Sequence, residues 1–277
     1  MKKLLIVLLS LFSSIILAQR LEMPESELKE KLDSILREGN LLYKYEKAAW
    51  ISNDLAFKNP IVKAEFHDYV TYEEQGEIKT IIFEEKLQTC IAEYAFENNF
   101  DHPKSVKIEK RQLSDKEKQL INVREKILKN IHDNEYKVII PTKGYSLNFI
   151  LLPFSDKYKL YIITGTTEPN IVPFGNDYIF IANENGEIEN WHKFHSQLIP
   201  ASTIIGGNNV RRNNARRNRI TGLIHTHLPS TPLITPTDIC TFMLYAPLYD
   251  LETLTVLYAP VAMKYSLKEN TIKIEYF

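Results

Sequence analysis

One stretch of the chain carries most of its structural and chemical information: residues 221–245 read TGLIHTHLPSTPLITPTDICTFMLY. The apolar and β-branched residues at its start predict a strand over residues 220–224, which delivers His225 and His227 at its end. Alternate residues of an extended chain point to one side, so we expect both imidazoles on the same face. Two nitrogen ligands on one face are half of a zinc site.

A helix that carries a third ligand is predicted to follow. Pro229 and Pro232 interrupt regular structure after the histidines, and Thr235 and Pro236 then suit the N-cap and the first position of a helix. Asp238 lies in the first turn of that helix, where it can face back toward the histidines. The result is a His2Asp set with a fourth position free for water, as in catalytic rather than structural zinc sites.

The spacing of these residues resembles a known signature. His225, His227, Thr235 and Asp238 follow the pattern HxHx7SxxD of the JAMM/MPN metalloprotein superfamily, which includes deubiquitinating isopeptidases and RadC-type bacterial proteins, with Thr in place of Ser. The resemblance implies a zinc cofactor bound by the two histidines and the aspartate. It also implies that the Thr235 hydroxyl polarises the site and stabilises the oxyanion. The order of predicted elements over residues 114–277 also resembles an MPN core.

In that superfamily an upstream glutamate acts as general base on the metal-bound water. The nearest topological match is Glu135, which lies between a predicted helix over residues 114–131 and a predicted strand over residues 136–140. Glu168 and Glu46 are alternatives, and none of the three lies among the small residues typical of active members. Without this base zinc would still bind, but activation of water would be much weaker.

The rest of the chain predicts an α+β fold. A helix over residues 25–37 is expected to end at Gly39, with a second helical piece over residues 41–57. The capping box of Ser114 and Glu117 begins the helix over residues 114–131. Strands are predicted at residues 69–72, 78–83, 90–96, 136–140, 147–152, 160–164, 178–182, 188–191, 254–258, 261–266 and 271–276. We therefore expect an N-terminal α+β unit with an antiparallel meander over residues 19–110 and a JAMM/MPN-like metal-binding domain with a mixed sheet over residues 111–277.

Composition and the N-terminus bear on where the protein acts. The chain has 277 residues, of which 44% are hydrophobic and 25% charged, and a net charge of -1. These values exclude a disordered chain, a multi-span membrane protein and a generally basic nucleic-acid binder. Lys2 and Lys3 precede an apolar stretch and Ala18, which is typical of a secretory signal peptide over residues 1–18. The apolar stretch is shorter than the roughly 20 residues of a membrane span, so we expect a secreted or periplasmic bacterial protein whose mature chain has no transmembrane span.

Three further features leave alternatives open. Cys90 and Cys240 can pair in an oxidising compartment or remain buried thiols. His192 and His195 can be surface residues, partners of the metal ligands or an extra ligand. An arginine cluster just before the HxH strand can bind an acidic substrate or partner, or only be solvated. It consists of Arg211, Arg212, Arg216, Arg217 and Arg219.

Together these features predict an exported zinc-dependent hydrolase of the JAMM/MPN type. It would cleave amide or isopeptide bonds of a protein or peptide substrate through metal-bound water, with Glu135 and Thr235 as catalytic residues. The alternative is a non-catalytic secreted binding protein on the same scaffold. The two hypotheses differ in one distance, because the hydrolase needs a glutamate carboxylate within about 5 Å of the metal ligands. No nucleic-acid partner is expected.

Overall fold

A computed structural model describes residues 23–133, 136–204 and 220–277. Three sequence predictions lie outside these residues: the signal peptide over residues 1–18, the general base Glu135 and the arginine cluster of Arg211, Arg212, Arg216, Arg217 and Arg219. In the part of the chain that is described, none of the helices has both the length and the apolar composition that a membrane span requires.

The predicted α+β fold is confirmed. The helices are α1 (Glu25–Lys58), α2 (Pro60–Glu65), α3 (Asp115–Asp133) and α4 (Pro236–Tyr245), and a 3-10 turn (Ala246–Leu248) follows α4. The capping box predicted at the start of α3 is present. The Ser114 hydroxyl accepts from the Glu117 amide at 3.2 Å, and the Glu117 carboxylate accepts from the Ser114 amide at 2.7 Å.

The strands of the described residues form four sheets. The first is an antiparallel meander with a short extension: β1 (Asp68–Glu74), β2 (Glu77–Phe83), β3 (Thr89–Phe96), β4 (Ser105–Lys107) and β5 (Arg111–Gln112). The second is also antiparallel, in the order β10-β9-β7-β6: β6 (Tyr145–Phe154), β7 (Lys157–Thr166), β9 (Tyr178–Ala182) and β10 (Ile188–Lys193). The third pairs β8 (Ile171–Gly175) with β11 (Leu198–Ser202). The fourth is mixed, because β12 (Gly222–Thr226) runs parallel to β13 (Thr253–Tyr258), which continues through β14 (Val261–Ser266) and β15 (Thr271–Tyr276).

Two hydrophobic cores hold these layers together in the described chain. The larger core joins α1, α4 and the fourth sheet, and includes Leu42, Ile239 and Val256. The second core joins α3 to the first two sheets, and includes Ile81 and Ile162. Both cores contain residues from either side of residue 110, so the predicted N-terminal unit packs directly on the predicted metal-binding domain. The helix that carries Asp238 is therefore supported by the N-terminal helix.

Two local predictions are wrong. Gly39 does not end a helix, because α1 is continuous and Gly39 lies buried against α4. Residues 136–140 do not form a strand. Side chains take the backbone hydrogen bonds that a neighbouring strand would have made: the Ile139 amide donates to the Tyr178 hydroxyl at 3.0 Å, and the Ile139 carbonyl accepts from the Asn176 amide group at 2.9 Å.

The two cysteines are separate in the structure. Cys90 and Cys240 are buried free thiols. Cys90 belongs to the second core and Cys240 to the larger one. Of the two alternatives that the sequence left open, the structure therefore has the buried thiols and not the disulfide.

Candidate metal centre

Strand β12 places His225 and His227 on one buried face. Along this strand the exposed residues Ile224 and Thr226 alternate with the buried histidines, as the two-residue period of a strand predicts. The Nε2 atoms of His225 and His227 lie 3.0 Å apart. The sequence prediction that the two imidazoles share a face is confirmed.

The N-terminus of α4 aims Asp238 at this face. Thr235 is the N-cap and Pro236 the first helical residue. The Thr235 hydroxyl accepts from the Asp238 amide at 3.0 Å, and Oδ2 of Asp238 accepts from the Thr235 amide at 2.9 Å and from its hydroxyl at 2.8 Å. This capping box leaves Oδ1 of Asp238 facing the histidines, 3.2 Å from Nε2 of His225. The Thr235 hydroxyl, which the resemblance assigns to oxyanion stabilisation, is thus hydrogen-bonded to the ligand Asp238.

A fourth residue, His195, joins the cluster from another sheet. It follows the end of β10, and its Nε2 atom lies 2.9 Å from Nε2 of His227 and 3.4 Å from Oδ1 of Asp238. The potential ligand atoms of all four residues lie within 4.8 Å of one another. All four side chains are buried, with exposed fractions of 5% for His195, 8% for each of His225 and His227, and 1% for Asp238. His192 lies outside the cluster, with its ring nitrogen 3.1 Å from the Thr231 hydroxyl.

Hydrogen bonds on the far side of the rings determine where the ring hydrogens lie. Nδ1 of His227 is 2.8 Å from the Leu233 carbonyl oxygen, which can only accept, so this nitrogen carries the hydrogen. Nδ1 of His195 donates in the same way to Oδ1 of Asp177 at 2.7 Å. In the neutral rings both Nε2 atoms therefore present lone pairs to each other. Such an arrangement is repulsive unless a cation or a proton lies between the two nitrogens.

The electrostatic field of the cluster favours positive charge. Burial lowers the pKa of His195, but the negative charges of Asp238 and Asp177 outweigh burial and raise the pKa to about 9. Burial raises the pKa of Asp238, but the three histidines outweigh it and hold that pKa well below its ordinary value. Oδ1 of Asp238 makes no hydrogen bond among the described residues although it is fully buried. A field that favours a proton at this point also favours a metal cation.

The separations fit a tetrahedral ion. A zinc ion with bonds of about 2.0–2.1 Å to tetrahedral ligands requires neighbouring ligand atoms about 3.3 Å apart. Four of the separations between cluster atoms run from 2.9 Å to 3.4 Å, close to this value, and all the potential ligand atoms lie within 4.8 Å of one another. Three imidazoles and one carboxylate, with no thiolate, are donors that zinc and other first-row transition metals accept. His195 thus offers a possible fourth protein donor where the sequence predicted a position for water.

No described glutamate belongs to the cluster. Glu135 lies outside the described residues. The carboxylate of the alternative Glu168 lies against Gly144, and that of Glu46 accepts from the Asn148 amide group at 2.7 Å. The acidic residue that contacts a ligand from outside is Asp177, which has no recognisable motif around it because residues 174–178 predict only a turn that enters a strand.

Comparison of the chain with protein-family models, curated proteins and solved structures finds no match. The resemblance to the JAMM/MPN superfamily therefore depends on the spacing of four residues and on the order of the elements that carry them.

Proposed function

We propose that this protein is an exported zinc-binding protein whose ion is held by His195, His225, His227 and Asp238. One observation carries the proposal: the Nε2 atoms of His195 and His227 lie 2.9 Å apart while both rings use their Nδ1 hydrogen elsewhere. Two neutral rings in this arrangement repel each other, and a divalent cation among the four donors would bind both lone pairs. It also gives the buried Oδ1 of Asp238 a partner.

The ligands come from three places that are distant in the chain. His195 follows the second sheet, His225 lies on β12 of the fourth sheet with His227 directly after that strand, and Asp238 lies on α4. An ion that binds all four residues cross-links these parts of the fold. Because it binds the folded state, its binding free energy adds to the stability of the protein. Four protein donors are typical of closed, structural zinc sites. This supports the non-catalytic binding or interaction protein of the two hypotheses drawn from sequence.

Hydrolysis of amide or isopeptide bonds is our second proposal, and the HxHx7TxxD spacing of His225, His227, Thr235 and Asp238 supports it. Zinc would supply Lewis-acid polarisation of the scissile carbonyl. For this chemistry His195 has to leave the ion to make room for the substrate, and Glu135 has to act as base. The partner is then an unknown protein or peptide, and the arginine cluster would favour an acidic one.

Metal analysis of the purified protein tests the first proposal. We expect one equivalent of zinc per chain, and a large loss of zinc in His225→Ala, His227→Ala and Asp238→Ala. His192→Ala is the matched control, because this histidine contacts the Thr231 hydroxyl, lies outside the cluster and should leave the zinc content unchanged. A wild-type protein that holds only a trace of zinc after gentle purification and after incubation with zinc would overturn the proposal.

A peptidase assay separates the two proposals. A fluorogenic peptide library and an isopeptide-linked substrate are incubated with zinc-loaded wild-type protein and with His225→Ala. Turnover by the wild type that disappears in the variant supports the hydrolase. Equal background rates for both proteins, together with stoichiometric zinc, support the binding protein.

A further inference from the structure

We infer that Asp177 is a positioning residue for the metal centre: together with Thr237 it holds His195 in the orientation and tautomer in which Nε2 can bind the ion. The inference rests on the proposed zinc site and adds residues that lie outside the HxHx7TxxD motif. Asp177 lies between β8 and β9, and its side chain is buried, as is that of Thr237.

The two carboxylate oxygens of Asp177 have different partners. Oδ1 accepts from Nδ1 of His195 at 2.7 Å. Oδ2 accepts a short hydrogen bond from the hydroxyl of Thr237, which lies in the first turn of α4. Asp177 therefore connects the segment that carries His195 to the helix that carries Asp238.

Backbone contacts hold the segment of Asp177 against the segment that carries His195. The Asp177 carbonyl accepts from the Phe194 amide at 3.1 Å, and the Asn176 amide donates to the Gln197 carbonyl at 3.2 Å. Gly175 has a φ of +77° and lies so close to this carbonyl that a Cβ on Gly175 would stand 2.2 Å from its oxygen. Backbone hydrogen bonds thus fix the chain on both sides of His195, and the Asp177 side chain fixes the orientation of the imidazole ring.

The outer contacts form a continuous path between two ligands. The Thr237 hydroxyl that donates to Asp177 lies 2.9 Å from the Thr235 hydroxyl, and this second hydroxyl donates to Asp238 at 2.8 Å. Because each hydroxyl has one hydrogen and directs it to its own carboxylate, the two hydroxyl oxygens are in contact without a hydrogen bond between them. His195 and Asp238 are connected around the centre through this contact. Such outer partners orient metal ligands and raise their basicity.

Charge balance gives Asp177 a second role. A divalent ion and the carboxylate of Asp238 leave one positive charge in a buried site, since the three imidazoles bind as neutral ligands. A second carboxylate, that of Asp177, makes the buried assembly neutral overall. Neutrality is strongly favoured where burial removes water from the charges.

Zinc affinity measured by competition with a chromophoric chelator tests the inference. We expect Asp177→Ala and Asp177→Asn to weaken zinc binding by about 10- to 100-fold, the range typical of outer partners of metal ligands. Thr237→Val, which keeps the size of the side chain but removes the donor to Asp177, should weaken it by a smaller factor. Asp156→Asn, at an exposed turn, and Thr241→Val, one turn further along α4, are the controls and should bind zinc as the wild type does.

A double-mutant cycle shows whether Asp177 acts through His195. If it does, Asp177→Ala has little further effect on zinc affinity in a His195→Ala background. Cobalt(II) gives an independent signature, because four-coordinate cobalt(II) absorbs visible light more strongly than five- or six-coordinate cobalt(II). The band should weaken in both Asp177→Ala and His195→Ala and stay strong in the controls.

The outcomes distinguish this inference from the zinc site on which it rests. If the wild-type protein has no affinity for zinc, both the zinc site and the role of Asp177 are excluded. If the wild type binds zinc but the Asp177 variants bind it as tightly, only the role of Asp177 is excluded. The same holds if the effect of the Asp177 variants on zinc affinity is undiminished in the His195→Ala background. If Asp177→Ala does not fold, Asp177→Asn decides, since it keeps the size of the side chain but removes the negative charge and one of the two acceptor oxygens.

Discussion

Gly39 on α1 packs against Ile239 on α4 so closely that a Cβ built on the glycine would stand 2.7 Å from Cβ of Ile239. The same Cβ would lie 3.1 Å from the carbonyl oxygen of Pro236. Ile239 directly follows Asp238, so the middle of α1 sets the position of the helix turn that carries this ligand. Close approach of the two helices is the reason for a glycine in the interior of α1, where alanine would otherwise favour the helix by about 0.5–1 kcal/mol.

Gly39→Ala is therefore expected to destabilise the protein by about 1–3 kcal/mol, the usual cost of inserting a carbon into a packed core. Because α4 has to move away from α1, zinc affinity should fall as well. Urea unfolding and chelator competition measure the two effects. Ser34→Ala, at an exposed site of the same helix, is the control and should be neutral or slightly stabilising. A Gly39→Ala protein as stable as the control would show that the two helices separate without cost.

Thr235→Ala removes the N-cap of α4 and should cost about 1 kcal/mol of folding stability. Because the hydroxyl also donates to Oδ2 of Asp238, the variant should bind zinc more weakly. Thr235→Ser keeps both hydrogen bonds and should differ from the wild type by less than about 0.5 kcal/mol. Unfolding curves and zinc titrations check both variants, with Thr226→Ala at an exposed site of β12 as control. Equal damage from serine and alanine would mean that the methyl group matters and not the hydroxyl.

Removal of the proposed metal should lower the melting temperature, because an ion held by these ligands would join His195, which follows the second sheet, to the fourth sheet and α4. Zinc at about 1,000 times its dissociation constant adds roughly 4 kcal/mol of stability, which corresponds to a shift of about 10 °C for a chain of this size. Calorimetry with and without a chelator measures the shift. The melting temperature of His225→Ala should be the same with and without the chelator and close to that of the wild-type protein without metal. His192→Ala should show the same shift as the wild type. A wild type that melts unchanged after complete loss of zinc would contradict this structural role.

Glu46 predicts a pH dependence that is separate from the metal centre. Burial raises the pKa of this carboxyl group from 4.5 to about 8, although its hydrogen bond from Asn148 lowers it, and Oε2 has no partner among the described residues. The folded protein thus retains a proton that the unfolded chain releases. The stability that this group contributes is fully present below pH 4.5 and is lost as the pH rises toward about 8. At pH 7 the loss amounts to about 3 kcal/mol.

Glu46→Gln removes this loss and should stabilise the protein near pH 8 but not near pH 4.5. Urea unfolding of both proteins at the two pH values measures the difference, and any effect of pH on the metal ligands is common to both. Glu30→Gln, at an exposed site of the same helix, should show no such gain. A stability difference between Glu46→Gln and the wild type that is the same at both pH values would exclude a buried, protonated Glu46.

Local patterns account for the parts of the fold that sequence predicted well. The capping boxes at Ser114 and Thr235 involve residues only three positions apart, and the alternation along β12 follows from the geometry of a single strand. The two wrong predictions concern features that depend on residues far away in the sequence. Gly39 allows α1 to approach Ile239 on α4, rather than ending a helix. The backbone at Ile139 hydrogen-bonds to the side chains of Asn176 and Tyr178, rather than to a neighbouring strand.

Sequence alone predicted three of the four residues of the candidate metal centre. His225, His227 and Asp238 lie on one strand, one loop and the first turn of one helix, so their spacing is enough to bring them together. Only the tertiary structure decided that His195 completes the set and that Asp177 and Thr237 hold it in place. The physical reason is that His195 and Asp177 belong to segments whose contact with β12 and α4 comes from the packing of whole sheets, which no local spacing of residues specifies.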